Sequence, residues 1–341
     1  MPDKMTTIAV DAMGGDHAPE SEVAGAILAA REYGVRILLV GIEEKVRAEC
    51  ARHKAKGLPI EIVNALEVIT MTDSPSQAFR RKKESSVHVA AKLVRDGEAE
   101  GLVSAGNTGA VMTISRFLLG TLPSVDRPAL AAPFPTAKDT VTVIIDVGAN
   151  VDSKPGQIKQ FAVMGEIYYR AIFGTAKPRV ALLSIGEEEV KGNELTREAA
   201  ALLKETSLNF VGNIEGRDVF SGDVDVIVCD GFIGNVALKI SEGVAQHITK
   251  VLKKELKSTW RSKLGAMLAR PAFKEFRKKI DYAEYGGAPL LGVKGISVIG
   301  HGSSNPNAIK NAIRVAAELS RSQVNDTIEK ELSAAVLTAG N

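Results

Sequence analysis

The feature that most constrains the fold is an alternation of short β-branched or apolar runs with stretches of helical periodicity. Such alternation is typical of βαβ units and a parallel sheet. Several runs are apolar on both faces, as expected for strands that helices cover on each side. We therefore predict the α/β class, with a Rossmann-like three-layer α/β/α arrangement around a mostly parallel sheet. The strand-like runs are "TTIAVD", "RILLVG", "IEIVNA", "GLVSAG", "TVTVIIDVG", "RVALLSIG", "LNFVGN", "VDVIVCDG" and "ISVIGHG", and "PESEVAGAILAAREYG" and "NELTREAAALLKET" are two of the helical stretches between them.

The chain length and the absence of linkers favour one continuous sheet. A chain of 341 residues can form one large core or two modest ones. It contains no internal repeat and no low-complexity linker, so we predict a single catalytic domain over residues 1–341. A basic amphipathic helical hairpin is predicted as an insertion at residues 244–282. The segment "NAIKNAIRVAAELSRSQVNDTIEKEL" predicts a closing helix or pair of helices.

Composition and cysteine content indicate a cytoplasmic globular protein. The chain is 45% hydrophobic and 25% charged, which is ordinary for such proteins. Its two cysteines, Cys50 and Cys229, are too few for a disulfide framework, so free thiols are expected. The start "MPDKMTTIAV" has no apolar signal region, and no apolar run approaches the roughly 20 residues of a spanning helix. Cys229 lacks a nucleophile motif and is predicted to be a buried strand residue.

Seven predicted strands are followed by short loops, called strand tips below, that combine glycine with polar residues. Ligands of open α/β sheets bind at the carboxyl ends of strands, and helix starts present free N–H groups to anions. Glycine, asparagine and serine also serve simply to reverse the chain. Seven such tips favour a shared polar crevice suited to phosphate. The tips are "DAMGGDHAPE", "SAGNTGA", "DVGAN", "SIGEEEVKGNE", "NIEGRD", "DGFIGN" and "GHGSSN".

The first tip allows a dinucleotide loop, a metal site or an acid–base site. A dinucleotide loop needs G-x-G-x-x-G, whereas Gly14 and Gly15 are adjacent here. Asp11, Asp16 and His17 could coordinate a metal, but the chain has only five histidines and no H-x-x-x-H or C-x-x-C spacing. We predict no metal and no cofactor. His17 stays a candidate for acid–base chemistry or anion binding.

Further candidates lie on later tips. "SAGNTGAVM" resembles a phosphate-cradling turn without a P-loop lysine, and it offers Ser104, Gly106, Asn107 and Thr108.

Two later tips each carry one candidate for direct chemistry. Lys191 precedes the predicted helix cap Asn193, and it is either a surface lysine or a cation that neutralises an anionic nucleophile. Asn235 is either a helix cap or an amide donor to a developing oxyanion.

A basic block between residues 250 and 279 stands apart from the rest of the chain. It holds eleven Lys or Arg and two Glu, a local charge of +9 in a protein of net charge +2. Its apolar residues have helical spacing, and Pro271 is predicted to break the helix into a hairpin. The hairpin could pack on its own domain, on a dimer mate or on an anionic membrane. Nucleic acid is disfavoured, because aromatic residues make up only 5% and no known binding module is present.

The motifs taken together resemble one family, the bacterial acyl-ACP:phosphate acyltransferases of phospholipid synthesis. The similarity runs from about residue 7 to residue 320. It rests on "IAVDAMGGDHAPE", "SAGNTGAVM", "DRPALA", "DVGANVD", "KGNELT", "DGFIGNVALK", "YGGAPLLGV" and "HGSSN".

The resemblance implies a homodimer related in fold to phosphotransacetylases and to isocitrate and isopropylmalate dehydrogenases. It implies transfer of a fatty acyl chain from acyl carrier protein to inorganic phosphate. The acyl phosphate would then pass to a membrane glycerol-3-phosphate acyltransferase. A peripheral position on the inner face of the cell membrane follows, where anionic lipid would attract the basic hairpin.

The resemblance also ranks the site residues. Lys191 and Asn235 are the leading catalytic candidates, and His17, Asp11, Asn107 and Asn150 come second. The expected substrate-binding residues are Gly14, Gly15, Asp16, Ser104, Gly106, Asn107, Thr108, Asn150, Asn193, Asp230, His301 and Ser303. The residues expected to contact acyl carrier protein or membrane are Arg80, Arg81, Lys82, Lys83, Lys257, Trp260, Arg261, Leu264, Met267, Leu268 and Phe273.

Two alternatives from other classes stay open on the sequence. One is a dehydrogenase of the isopropylmalate type, which would need a nicotinamide site and metal-binding acids. The other is a non-enzymatic membrane scaffold, in which the hairpin is the functional part. The polar strand tips argue against a scaffold, which needs no converging crevice.

Overall fold

A computed structural model describes residues 5–280 and 284–339 of the chain. Its centre is one eleven-stranded sheet in the order β3-β2-β1-β4-β11-β10-β5-β6-β9-β7-β8. The strands are β1 Thr7–Asp11, β2 Arg36–Gly41, β3 Ile60–Asn64, β4 Gly101–Ser104, β5 Ala129–Pro135, β6 Val141–Ile145, β7 Arg179–Leu183, β8 Asn209–Ile214, β9 Val226–Val228, β10 Ala288–Leu291 and β11 Ile296–Ile299.

Helices cover both faces of the sheet. They are α1 Glu20–Tyr33, α2 Glu43–Arg52, α3 Pro75–Arg81, α4 Ser86–Arg95, α5 Thr108–Ile114, α6 Pro155–Phe173, α7 Glu194–Lys204, α8 Gly231–Ser258, α9 Trp260–Leu268, α10 Arg270–Ile280, α11 Pro306–Arg321 and α12 Val324–Ala339. Successive strand residues enter separate cores: Ile8 and Val10 belong to one, Ala9 to the other. The side chains of one strand therefore alternate between two apolar cores, one on each face of the sheet, which confirms the three-layer α/β/α prediction.

Each of the nine predicted strands overlaps an observed strand, and two central strands were not predicted. β5 carries Pro133 and Pro135, and β10 carries Pro289. Proline cannot donate a ladder hydrogen bond and is usually confined to edge strands or bulges. Nothing in these two sequences marks a central strand, although both pair with neighbours on each side.

These two strands reverse the direction of the sheet. The pairings β11–β10, β10–β5 and β5–β6 are all antiparallel, whereas the other pairings are parallel. β6, β9, β7 and β8 therefore run opposite to β1, β2, β3, β4 and β11. Because carboxyl ends follow strand direction, the strand tips separate into two groups.

In the basic block, the helices begin and end at positions other than those predicted for the hairpin. α8 is continuous from Gly231, so the predicted insertion start at residue 244 lies inside a helix, and the predicted end at residue 282 lies outside the described residues. The chain breaks at Thr259, which caps α9, and again at Ala269. The break predicted at Pro271 is observed two residues earlier, at Ala269, and Pro271 lies in the first turn of α10. Proline is tolerated there because first-turn N–H groups have no partner within the helix.

Among the described helices, none is long and apolar enough to cross a membrane.

Candidate active site

The first tip group comprises the loops after β1, β4 and β11, residues 11–17, 104–108 and 300–303. Asp11 is 2% exposed and accepts hydrogen bonds from Ser104 Oγ at 2.7 Å and from the Met13 N–H at 3.1 Å. A Cβ at Gly14 would lie 2.5 Å from Asp11 Oδ2 and 2.8 Å from the Gly106 nitrogen. Burial raises the pKa of Asp11. Asp11 therefore joins two loops and is not an exposed base.

Glu22, on α1 behind these loops, was not predicted as part of the site. It is 1% exposed, and its Oε2 has no hydrogen-bond partner among the described residues. Burial, with smaller contributions from the negative charges of Asp11 and Asp16, raises the pKa of Glu22 to about 8. Glu22 is therefore largely uncharged at neutral pH. In the sequence it is one of several first-turn acids, and nothing distinguishes it.

The predicted ligand Asn107 is used fully by the fold. Its Oδ1 accepts from the Ala110 N–H at 3.1 Å as the cap of α5. Its Nδ2 donates to the carbonyls of Thr70, Met71 and Asp73 at 3.0–3.2 Å. The amide fixes the loop before α3, and both of its N–H donors are taken up by backbone carbonyls, so it has no donor left for a substrate.

The other polar members of the first tip group lie nearer the solvent. Asp16, His17 and Thr108 are exposed, and the Asp16 N–H donates to the Gly302 carbonyl at 2.8 Å.

His301 links this group to α8. His301 Nδ1 lies 2.8 Å from Ser303 Oγ, and Nε2 lies 3.9 Å from Glu242 on α8.

The second tip group comprises the loops after β6, β7 and β9, residues 146–153, 184–193 and 229–235. Its buried centre is Asp146, which was not predicted. The Asp146 carboxylate accepts from the N–H groups of Leu130, Gly148, Ala149 and Asn150 at 2.7–3.1 Å. The Asn150 side chain donates to Asp146 at 2.9 Å and to the Pro128 carbonyl at 2.8 Å. Burial raises the pKa of Asp146. Asp146 therefore shapes the loop, and the predicted ligand Asn150 serves the same purpose.

The start of α8 packs directly on this centre. Asp230 caps the helix by accepting from the Phe232 N–H at 2.9 Å, and it also accepts from the Ser153 N–H at 2.9 Å. A Cβ at Gly234 would lie 1.9 Å from the Asp146 carbonyl oxygen, so only glycine allows this approach. The close contact fixes the position of the next residue, Asn235.

Lys191 and Asn235 are an unpaired cation and an unpaired amide of the second tip group, whose exposed acids Asp152 and Glu188 also have no side-chain partner among the described residues. Asn193 caps α7 by accepting from the Thr196 N–H at 2.9 Å, as predicted, and so is committed to the fold. Lys191 and Asn235 are both exposed, and neither side chain has a hydrogen-bond or ion-pair partner within residues 5–280 and 284–339. The loops therefore present one free cation and one free amide.

Three further buried polar atoms at the second tip group have no partner in the described part of the chain. They are Ser153 Oγ, Ser184 Oγ and Asn213 Oδ1. A Cβ at Gly192, which has φ +96°, would lie 2.9 Å from Ser184 Oγ, so the hydroxyl lies beside the loop of Lys191. Buried polar groups normally have partners, which makes these atoms candidates for contact with a bound anion. Residues of this type have no sequence motif, so they were missed.

The two groups are not one row of tips, as the sequence suggested, but α8 connects them. Asn235 is at the second tip group, and Glu242, which is near His301, is at the first. Seven residues of α-helix separate them, a rise of about 10 Å. The two tip groups therefore lie about 10 Å apart along the start of one helix, and the single shared crevice stays a prediction.

Comparison with known proteins identifies the family. A family model described as "Fatty acid synthesis protein" matches residues 6–327. The phosphate acyltransferase of Geobacter sp. (strain M21) is 56% identical over 326 residues, which span 96% of this chain and 92% of that protein. The phosphate acyltransferase of Pelotomaculum thermopropionicum is 57% identical over 311 residues, which span 91% and 90%. The chain belongs to the phosphate acyltransferase family.

Membership in the phosphate acyltransferase family makes this chain an acyltransferase enzyme. It decides against the dehydrogenase and the scaffold alternatives. A phosphotransacetylase from Streptococcus pyogenes has a similar structure, with a TM-score of 0.64, 17% identity and coverage of 93% of this chain and 94% of that one. At that identity the similarity concerns the fold alone, and it confirms the α/β class. The likeness to isocitrate and isopropylmalate dehydrogenases stays a prediction.

Cys229 is not a nucleophile in this acyltransferase. It is 2% exposed, and its thiol donates to the Asp146 carbonyl at 3.4 Å. Burial raises the pKa of the Cys229 thiol well above its usual range. The prediction that Cys229 is buried is confirmed, although the residue lies one position beyond β9 and not within the strand.

The basic cluster Arg80–Lys83 is only partly available to a partner. Lys82 donates to Asp73 at 2.7 Å and to the Val68 carbonyl at 2.9 Å. This contact lowers the pKa of Asp73 to about 2. Arg80, Arg81 and Lys83 are exposed, so the surface offers three of the four predicted cations.

The predicted membrane residues of α9 are exposed. Trp260, Leu264 and Leu268 recur every four residues and are 71%, 48% and 74% exposed. Met267 is 65% exposed, lies about 20° around α9 from Trp260, and together with Phe273 also lines a cavity between α8, α9 and α10. Their place at a membrane-contacting tip stays a prediction.

Proposed function

We propose that this enzyme transfers a fatty acyl group from acyl carrier protein to inorganic phosphate, for phospholipid synthesis. The observation that carries the proposal is the pair Lys191 and Asn235, a free cation and a free amide on shaped loops. A cation suits a phosphate nucleophile, and an amide N–H suits the oxyanion of a thioester under attack. The names of the relatives, phosphate acyltransferase, support phosphate as the acceptor.

In the proposed reaction, an oxygen of hydrogen phosphate attacks the thioester carbonyl carbon. The new C–O bond forms, the C–S bond breaks, and the proton of hydrogen phosphate ends on the departing thiol. Lys191 holds the phosphate in position, and the Asn235 amide donates to the carbonyl oxygen as its charge develops. The protein needs no nucleophile of its own, which agrees with the buried, protonated state of Cys229.

A free cation favours the second tip group over the first as the phosphate site. Both groups expose acids: Asp16 in the first, and Asp152 and residues 187–189 in the second. A phosphate dianion is repelled by such acids wherever they are ionised. The second group offsets its acids with Lys191 and with the unpartnered hydroxyls of Ser153 and Ser184.

We propose acyl carrier protein, an acidic protein, as the partner that delivers the thioester. Arg80, Arg81 and Lys83 form an exposed cationic patch that complements an acidic surface. Complementary charge speeds encounter more than it adds affinity. The basic block at residues 250–279 gives a second attractive surface.

A homodimer is proposed on the exposed apolar stripe of α8. The stripe has helical spacing over about five turns, and no described residue covers it. A second copy that presents the same stripe would bury both. Its residues are Ile233, Val236, Ile240, Val244, Ile248 and Val251.

Contact with an anionic membrane is proposed for the exposed face of α9, where the acyl phosphate would pass to a membrane acyltransferase. Apolar side chains beside the cations of the basic block suit an interfacial helix. Replacement of Leu264 and Leu268 by Glu should abolish co-flotation with anionic liposomes. Leu66→Glu is the matched control, because Leu66 is equally apolar and 67% exposed elsewhere. Unchanged flotation of the double variant would contradict the membrane proposal.

The proposed reaction is tested by trapping its product. Purified protein is incubated with palmitoyl-acyl carrier protein and phosphate, and acyl phosphate is captured with hydroxylamine as the hydroxamate. Hydroxamate should require both the enzyme and phosphate, and sulfate should not replace phosphate. Hydroxamate that forms equally without phosphate, or none at all, would overturn the proposal.

A further inference from the structure

Helices α8, α9 and α10 form the walls of an open, solvent-accessible cavity of about 500 Å³ that the proposed reaction does not use. This volume is within the range of small-molecule sites, roughly 300–1,000 Å³. The apolar part of its wall comes from all three helices: Leu252, Leu256, Ala266, Met267, Phe273 and Phe276.

The remaining wall of the cavity is cationic. Lys253 and Lys257 of α8 and Lys263 of α9 line it together with Thr249. All three lysines are exposed, and none has a hydrogen-bond or ion-pair partner among the residues that the structure describes. Lysine can place its alkyl stem along an apolar wall while its ammonium group stays at the opening. The cavity therefore combines an apolar interior with a positively charged rim.

We propose that this cavity binds the acyl chain of a long-chain acyl phosphate, with the phosphate group at the lysine rim. The occupant follows from the chemistry of the wall, since an alkyl chain matches the interior and an anionic head group matches the three ammonium groups. The proposal rests on the proposed function, which makes such an amphiphile. The cavity would hold the product between its release and its transfer, and keep the chain out of water.

The other proposed surfaces adjoin this cavity. Ile240 of the exposed α8 stripe is about 160° around the helix from Leu256, whereas Ile248 is about 40° from Leu252, at 100° per residue. Trp260, Leu264 and Leu268 of α9 do not line the cavity, but Met267 lines it and is 65% exposed. The oligomeric state is therefore measured together with binding.

The test uses dodecylphosphonate, a stable amphiphile with a phosphate-like head, titrated into the full-length protein below its micellar concentration. Leu256→Trp fills the cavity and should raise the Kd at least about tenfold. Leu66→Trp, an equal substitution at a leucine that is 67% exposed away from these helices, should leave the Kd unchanged. Replacement of Lys253, Lys257 and Lys263 by Gln should raise the Kd by a similar factor, and it changes only exposed groups. Dodecyltrimethylammonium, with the same chain and a cationic head, should bind at least about tenfold more weakly.

Several results would overturn the proposal. Equal binding by wild type and Leu256→Trp would place the ligand elsewhere, and equal binding of the two head groups would remove the role of the lysines. A change of oligomeric state in Leu256→Trp with unchanged phosphonate binding would indicate that a second copy fills the cavity.

The hydroxamate assay on the same samples separates the two proposals. Failure of the wild type to bind dodecylphosphonate while hydroxamate forms overturns the cavity proposal alone. Intact binding without hydroxamate overturns the proposed function and, with it, acyl phosphate as the occupant.

Discussion

The two strand-tip groups are similar in sequence and different in chemistry. Both consist of glycines with Asp, Asn and Ser after a buried strand, and each centres on a buried aspartate, Asp11 or Asp146. In the first group the side chains exposed near that centre are Asp16, His17 and Thr108. In the second they include a cation and an amide, Lys191 and Asn235, beside the exposed acids Asp152 and Glu188. The composition of a tip therefore does not reveal its function, because most of its polar side chains satisfy backbone groups.

The largest expected change in the free energy of unfolding comes from replacing one of the two buried aspartates, Asp146 or Asp11, and the two replacements should differ in size. Asp146→Ala removes the acceptor of four backbone N–H groups and should lower the free energy of unfolding by at least about 3 kcal/mol. Asp11→Ala removes the acceptor of the Ser104 hydroxyl and the Met13 N–H, and the loss should be smaller. Urea denaturation of both variants at neutral pH measures the difference. A larger loss for Asp11→Ala would reverse the comparison.

A smaller effect concerns Glu22, which has no counterpart in the second tip group. An unfolded carboxyl of ordinary pKa releases its proton above pH 4.5, whereas folded Glu22, with a pKa of about 8, keeps it. Rising pH therefore favours the unfolded state, and stability falls between these two values. From pH 5 to pH 7 the wild type should lose about 2 kcal/mol relative to Glu22→Gln.

The measurement is the difference in urea-unfolding free energy between wild type and Glu22→Gln as a function of pH. Asp11 and Asp16 face Glu22 and are present in both proteins, so their own titration largely cancels. The same holds for His88, whose pKa burial lowers to about 4. A pH-independent difference would show that Glu22 is charged in the folded protein.

Local patterns in the sequence were sufficient for much of the fold. Strand runs such as Arg36–Gly41 are continuous and apolar, and the cap at Asn193 needs only its own helix start. β5 and β10 could not be predicted, because their stability comes from pairing partners that are distant in sequence. The reversal of the sheet follows from those two strands, so the division of the tips was hidden as well.

The candidate site could be predicted only in part, for a related reason. Lys191 and Asn235 were chosen on resemblance, and the structure adds that their side chains are free. Asn107 and Asn150 have the same residue type and a similar tip position, yet their amides are bonded within the fold. Which asparagine is free depends on carbonyl groups of other segments, and no local pattern contains that information.

The most direct test of the account measures phosphate-dependent acyl transfer in Lys191→Ala and Asn235→Ala. Lys191→Ala should lower kcat/KM for phosphate by about 100-fold or more, with a raised KM, because the cation binds the nucleophile. Asn235→Ala should lower kcat by about 10- to 100-fold with little change in KM, because the amide acts on the developing oxyanion. Lys177→Ala, an exposed lysine before β7, is the control and should stay within about twofold of wild type. Full activity in folded Lys191→Ala and Asn235→Ala would contradict the assignment of chemistry to the second tip group.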